Sequence, residues 1–409
     1  MKQFRKTLFL FAASMIAVVG TLDAQPGVCY EDPSNPGTYI TPDGRECINA
    51  VLTAVPFLRI TPDARSGAMG DVGIAISADA NAMHYNPSKL AFADKNFSIG
   101  ATYTPWLRAL GLQDVYLAYL SGYKKIDDRQ TIGLSLRFFS LGDIAFTNEQ
   151  GEPLGNGRPR EFEISGAYAR KLSKRLSAAV GAKFIYSNLA ANQFIGGVEI
   201  TPGIAGAADF SLTYKAPMNL GGKKGDLTAA LAISNIGSKI IYAKTPEFIP
   251  ANLGIGVAYL VNLDDFNSLT LTVDANKLMV PTPPLDPAVK AKDDNQNEIP
   301  DWKEASSIGS LFSSFSDAPN GFSEEISEFT LSTGLEYWYD KQFAVRAGYF
   351  NEAINKGNRK YLTVGLGLRY TAFGINVSYL IPATSQRNPL DNTLRFSLIF
   401  DMANLTDEE

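Results

Sequence analysis

From residue 96 onward the sequence repeats one pattern about fourteen times: ten or so residues in which apolar side chains alternate with small or polar ones, closed by turn residues. Successive side chains of a strand point to opposite faces, so each segment has one apolar face. In Tyr361 to Tyr370, residues Leu362, Val364, Leu366, Leu368 and Tyr370 fall on one side, and Thr363, Gly365, Gly367 and Arg369 on the other. The same split separates Ile132, Leu134, Leu136 and Phe138 from Gly133, Ser135 and Arg137. It separates Leu253, Ile255, Val257 and Tyr259 from Gly254, Gly256 and Ala258, and Phe329, Leu331, Leu335, Tyr337 and Tyr339 from Thr330, Ser332, Gly334 and Glu336. One face suits lipid and the other a polar or tightly packed lumen.

The pattern predicts strands over 96–105, 112–123, 130–141, 160–171, 176–187, 203–216, 226–236, 251–261, 268–277, 328–339, 342–351, 359–371, 373–382 and 392–402, an even number. The connections alternate between short and mostly longer ones, as periplasmic turns and outside loops do in outer-membrane barrels. The expected fold is therefore all-β: a 14-stranded antiparallel transmembrane β-barrel over 96–402. It would sit in the outer membrane with both termini periplasmic and a long extracellular loop at 278–327, leaving 403–409 as a C-terminal tail. Tyr103, Tyr123, Tyr186, Tyr214, Tyr259, Tyr339 and Tyr370 are expected in interfacial girdles. The competing reading is a water-soluble all-β protein with alternating strands.

Lys2, Arg5 and Lys6, then the apolar run Leu8 to Val19 and a small-residue end at Ala24, make residues 1–24 a secretory signal peptide. The two cysteines of the chain, Cys29 and Cys47, follow in a loop rich in Pro, Gly, Asp and Asn. In an oxidising compartment they are expected to pair, and closing such a loop contributes on the order of 3 kcal/mol. Residues 25–57 are read as a periplasmic N-terminal segment carrying that disulfide.

Between it and the strands lies Leu58 to Phe92, LRITPDARSGAMGDVGIAISADANAMHYNPSKLAF, glycine- and alanine-rich and without strand or helix period. A fourteen-strand barrel is wider than its own side chains fill, so residues 58–95 are expected as a plug inside it. Gly67, Gly70 and Gly73 permit tight turns, Asp79 lies in its middle, and Asn86-Pro87 is a turn signal. His84, the single histidine, is read as a hydrogen-bonded plug residue, since it has no second histidine or nearby cysteine to share a metal.

The plug residues Gly73, Asp79-Ala80, Asn86, Pro87 and Ser88, ahead of about fourteen strands, resemble the FadL family of outer-membrane transporters. More narrowly, PDARSGAMGDVGIAISADANAMHYNPSKLAF, with DNQNEIPDWKE and FSDAPNGFSEEISEF in the long loop, resembles the PorV (LptO) family, the FadL-like outer-membrane components of the type IX secretion system. That resemblance covers nearly all of the mature chain. It implies a non-enzymatic protein that binds the C-terminal signal domain of exported cargo at the translocon barrel and carries it to the attachment complex, with its sortase-like component. The alternative it leaves open is a transporter of hydrophobic small molecules or fatty acids.

Within loop 278–327, Asp293, Asn295, Asn297, Ile299, Asp301 and Glu304 occupy positions 1, 3, 5, 7, 9 and 12 of a calcium loop. Position 6 is Glu298 where the motif has glycine, and a plain polar turn is the rival reading. Trp302, Ile308, Leu311, Phe312 and Phe315 recur at near-helical spacing, and Ser323 to Ile326 reads as a capped helical turn. Two readings are open for the apolar set: cover for the barrel mouth, or a docking surface for a partner protein. Besides calcium, the expected non-protein company is outer-membrane lipid around the barrel, with room for lipid or detergent within it. A net charge of −5 without a basic cluster excludes a nucleic-acid partner. One histidine, no Gly-x-Ser-x-Gly and no phosphate loop leave no enzyme signature.

Overall fold

The computed structural model describes residues 29–402 except 37, 42, 46, 109–110, 148–152, 191–192, 196–197 and 385–391. The expected signal peptide at 1–24 and tail at 403–409 lie outside the described residues. The chain divides into two compact units at Cys47/Ile48. In the first, Cys29 and Cys47 form a disulfide, and Tyr30–Glu31 pairs antiparallel with Tyr39–Ile40.

The second unit is a closed antiparallel barrel of fourteen strands. They are β1 (Phe97–Pro105), β2 (Val115–Lys125), β3 (Gln130–Leu141), β4 (Arg160–Lys171), β5 (Leu176–Asn188), β6 (Gly203–Leu220) and β7 (Lys223–Gly237). There follow β8 (Asn252–Asn262), β9 (Asn267–Leu278), β10 (Thr330–Tyr339), β11 (Phe343–Asn351), β12 (Lys360–Tyr370), β13 (Phe373–Pro382) and β14 (Leu394–Met402). Each pairs with its sequence neighbours, and β14 closes the ring on β1 through pairs such as Leu398 with Ala101. Closure leaves no open sheet edge, the condition for a strand-built membrane span. No helix among the described residues is long and apolar enough to cross a membrane.

Burial is inverted relative to a water-soluble protein. Leu134, Leu362, Leu366 and Leu368 are exposed, whereas Arg137, Arg346, Arg395 and Glu336 are buried, each 1% accessible. The side-chain parity expected for all four sampled strands is observed. Tyr123 departs from its expected girdle position: on β2 it shares the inward parity of Val115, Leu117, Tyr119 and Ser121, and packs under the plug beside Met83 and Leu90. The 217–225 segment, expected as one of the short connections, is shorter still: β6 and β7 extend into it as a hairpin closed by Gly221 and Gly222. Both have positive φ, the pair of conformations a two-residue hairpin turn requires.

Residues 61–92 are largely buried within the ring. Four short helices, Pro56–Arg59, Ala64–Gly67, Ala82–Tyr85 and Pro87–Phe92, punctuate the path. Phe57 and Leu58 pack with Trp106, Leu117, Phe139 and Ile249 at the end bearing the long loops, whereas Leu90 and Ala91 pack with Tyr123, Ala169 and Ala179 at the short-turn end. The plug thus threads the whole lumen before β1 begins. Residues 49–57 consequently lie at the long-loop end, not at the short-turn end where a periplasmic segment would sit. Asn49 N–H donates to Asn355 O and Ala54 N–H to Phe248 O there. The reason is cover: Val55, Phe57 and Leu58 find apolar neighbours only at that mouth.

Loop 279–329 is ordered into short helices at Pro287–Lys290, Asp301–Glu304, Ser307–Ser313 and Phe322–Ser327. Ser306 caps the third through Gly309 N–H. The expected Ser323 cap is absent: Gly321, at φ 72°, precedes the last helix, and no side chain caps it.

Candidate functional site

Small residues let the plug backbone approach the wall. Gly70, at φ 69°, lies so near β11 that an added Cβ would fall 2.5 Å from Tyr349 O. On the wall, a Cβ at Gly348 would overlap the Met69 and Gly70 backbone. Polar groups freed by this irregular backbone are then satisfied by inward-facing strand side chains. Gly73 and Ile74 N–H donate to Asp274 at 2.7 and 2.9 Å, Gly70 N–H donates to Thr363 Oγ1 at 2.7 Å, and Ala64 N–H donates to Ser397 Oγ at 2.9 Å. Asn86 caps the next turn through Ser88 N–H, while its amide donates to Ile74 O and Thr213 Oγ1, both at 2.9 Å. Pro87 opens that turn, where a missing N–H costs nothing.

The centre of the seal is ionic. Arg65 donates to both oxygens of Glu336 at 2.9 and 2.7 Å and to Asp79 at 2.9 Å. Arg346 reaches the same Glu336 at 2.7 Å and Asn376 at 2.9 Å. Arg137 donates to Phe57 O and Leu58 O at 2.9 Å and to His84 Nδ1 at 2.5 Å, giving His84 its expected hydrogen bond. Gly67 and Gly73 make room for Arg395 and the Tyr85 ring. All six residues singled out for the plug therefore sit in it. Sequence reasoning did not name Arg65, Glu336, Arg346 or Asp274 as its anchors, although the inward parity of Glu336 was visible.

A second ionic cluster ties the long loop to the mouth. Lys277, at the end of β9, pairs with Glu325 at 2.7 Å and with Glu328; Lys356 pairs with Glu324 at 2.5 Å and Glu328 at 2.9 Å. Asn49 and Thr282 add hydrogen bonds to Glu324 and Glu328. Burial would push the Glu328 carboxyl up, but hydrogen bonds and charge from Lys277 and Lys356 outweigh it and hold it below the ordinary carboxylate range. Burial pushes Asp317 up. Carboxylates of Asp317, Glu325 and Glu328 lie within 4.8 Å of one another, but Lys277 and Lys356 already neutralise the glutamates.

In 293–304 the six calcium-loop residues form a compact exposed turn. Asn295 and Asn297 amides donate to Glu304 at 2.8 and 2.5 Å, and Asp293 accepts from Asn297 and Glu298 N–H. Asn297 accepts from Ile299 N–H, and Asp301 accepts from Asp294 N–H while lying 3.4 Å from Lys292. Glu298 adopts φ 68°, the conformation glycine would favour at that position.

The five apolar loop residues are split. Leu311 packs against the mouth cluster of Phe248, Ala251, Met279 and Val280, and Trp302 is half-buried beside Lys303. Ile308 and Phe312 point outward, 66% and 76% exposed, with Phe315 less so. Phe322, not singled out from the sequence, is 79% exposed and lies on the same loop.

A plugged, closed barrel of fourteen strands, apolar outside and ionic within, is an outer-membrane protein of the secretion or transport type. The family model described as type IX secretion system protein PorV matches residues 44–285. The chain belongs to that family. No curated protein matches it. Among solved structures, the TodX deltaS2S3 mutant monoaromatic hydrocarbon channel is similar at 12% identity and TM-score 0.51, covering 84% of this chain and 99% of that one. A Pseudomonas aeruginosa FadL homologue matches at 12% identity and TM-score 0.41, over 86% and 99%. At such identity the TodX likeness speaks to the fold alone.

Proposed function

We propose that this protein acts at the outer face of the type IX system, binding the C-terminal signal domain of exported cargo at the translocon barrel and delivering it to the attachment complex. The observation that carries this reading is the pair Ile308 and Phe312, large apolar side chains held exposed on a loop that is itself anchored to the mouth by Leu311 and the lysine–glutamate cluster. An ordered loop with exposed aromatic residues is a surface suited to a protein partner. The loop lengths support an orientation in which the long loops face outside and β14 ends at the periplasmic side.

The test is Ile308→Asp with Phe312→Asp in the full chain. Surface display of cargo should fall tenfold or more, and cargo should no longer co-purify in mild detergent, while the barrel keeps its wild-type heat-resistant migration. Normal cargo display would overturn the reading. The transporter reading shares the barrel but requires the plug to open a path past Arg65, Glu336 and Arg346. Its signature would be lost uptake of a hydrophobic nutrient with normal display.

A further inference from the structure

The chain carries a net charge of −5, yet three connections at the short-turn end of the barrel are strongly basic. The β2–β3 turn brings Lys124, Lys125 and Arg129 against Asp127 and Asp128. The β4–β5 turn carries Arg170, Lys171, Lys174 and Arg175 and no acid. The β6–β7 hairpin adds Lys215, Lys223 and Lys224 against Asp226. Ten cations thus meet three carboxylates, an excess of seven. Strands β2 to β7 are consecutive in the ring, so the three turns form one arc. The rest of that end is different. From β8 to β14 it carries Lys341 and Arg369 against Asp264, Asp265, Asp340 and Asp401 among the described residues, and Asp94 cancels Lys95 where the plug leaves the lumen.

Most of the excess is uncommitted. The one ion pair at this end among the described residues joins Lys215 to Asp226 at 3.2 Å. Asp127 accepts from the Arg129 and Gln130 N–H groups of its own turn, and Lys223 donates to Leu263 O at 2.7 Å. Lys124, Arg129, Arg170, Lys174, Arg175 and Lys224 are exposed. Two of them lie on the lipid-facing side of the wall: Lys124 shares the outward parity of Leu120 on β2, and Arg170 that of Ile164 and Tyr168 on β4. Lys124 opposes Ile132, Ile132 opposes Tyr168, and Arg170 opposes Gln130. The two cations therefore flank Ile132 and Tyr168 on the outer face, where Tyr168 O–H donates to Gln130 Oε1 at 2.5 Å. Ile126 and Leu172, in the turns themselves, are exposed apolar residues. A cation at the border of an apolar outer face sits at headgroup depth, its alkyl stem over the apolar row and its charge among the phosphates. A soluble acidic partner would need the charge alone; continuity with the lipid-facing rows favours a lipid.

We propose that the arc from β2 to β7 binds anionic phospholipids of the leaflet at the short-turn end, with a phosphate between Lys124 and Arg170 and acyl chains along Ile132 and Leu134. The proposal requires a membrane barrel but not the cargo role, so either can fail without the other.

The test offers the purified full-length protein, in a non-ionic detergent, equal amounts of phosphatidylglycerol and phosphatidylcholine with the same acyl chains, and counts bound lipids by native mass spectrometry. Phosphatidylglycerol should be enriched among them, and Lys124→Gln with Arg170→Gln should lower that enrichment roughly tenfold. Lys341→Gln with Arg369→Gln removes the same charge from the opposite arc and should leave the enrichment unchanged. Raising the salt should reduce it in the wild type, because exposed charges are screened. No preference for phosphatidylglycerol, which would leave the arc to a soluble acidic partner, or an equal loss in both double variants overturns the proposal. If the first double variant does not fold, the wild-type preference and its loss in high salt decide.

Discussion

The plug and the long loop solve opposite problems. Inside the barrel, arginines and carboxylates are buried and the packing is close enough to exclude side chains at Gly70 and Gly348. On the loop, large apolar groups at Ile308, Phe312 and Phe322 stand exposed. Lipid accounts for the apolar outer face of the strands, but it does not account for apolar groups on a loop beyond the strand ends. The contrast is physical: the lumenal segment is held by mutual satisfaction of charges, and the loop leaves apolar surface uncovered.

The widest gap between them should appear on removing the shared acceptor of the seal. Glu336→Ala leaves Arg65 and Arg346 facing each other without their carboxylate. Stripping one partner from a buried network costs about 3–5 kcal/mol. Thermal unfolding in detergent should show a lowered midpoint, far beyond any change caused by Ile308→Asp with Phe312→Asp. If Glu336→Ala melts like wild type, the plug is not held by its ionic centre and the contrast collapses.

A smaller effect is expected where loop meets mouth. Glu328 is held below the ordinary carboxylate range, so its contribution is present above the unfolded value of about 4.3 and is lost as pH falls through the lower folded value. Asp317, pushed up by burial, works the other way and favours mild acid slightly. Loop 279–329 should therefore keep its protection in hydrogen exchange between pH 7 and pH 5 and lose it only below the usual carboxylate range. Lys277→Met should release it at neutral pH. Loss of protection already by pH 5 in the wild type would show that the clamp is not what holds the loop.

What the sequence made legible follows from the range of each interaction. Strands were readable because alternation is local: β3, β4 and β13 begin and end where the pattern does. The plug was readable by its lack of period and its small residues. The ionic centre was not, because Arg65 and Glu336 are 271 positions apart and nothing local marks them as partners. The remaining signal was inward parity, which placed Glu336 and Arg137 in the lumen without saying what they meet. Tyr123 was misplaced because its residue type favours a girdle while its parity points inward. The Gly221-Gly222 turn fell inside the expected short connection, but the ends of β6 and β7 were placed short of it, although the glycine pair is itself a signal for a tight hairpin. The direction in which the plug threads the barrel left no trace in composition, so the packing of residues 49–57 at the long-loop end was not legible.

Calcium provides the finest test of how ordered the loop is by itself. Residues 293–304 already close on internal hydrogen bonds, with Asn295 and Asn297 donating to the Glu304 carboxylate that would otherwise clasp an ion. Glu298 holds its left-handed conformation at a cost of roughly 1–2 kcal/mol relative to glycine. Two side-chain ligands are neutral amides, so we propose at most a weak site, with a dissociation constant of about 10⁻⁴–10⁻³ M as in extracellular calcium modules. Millimolar calcium should then slow amide exchange across 294–304, and Glu304→Gln should abolish the effect, without moving the unfolding midpoint of the barrel. Exchange that is identical in calcium and in chelator would mean that the asparagine–glutamate hydrogen bonds alone shape the turn, and that the loop owes its order entirely to Leu311 and the lysines beneath it.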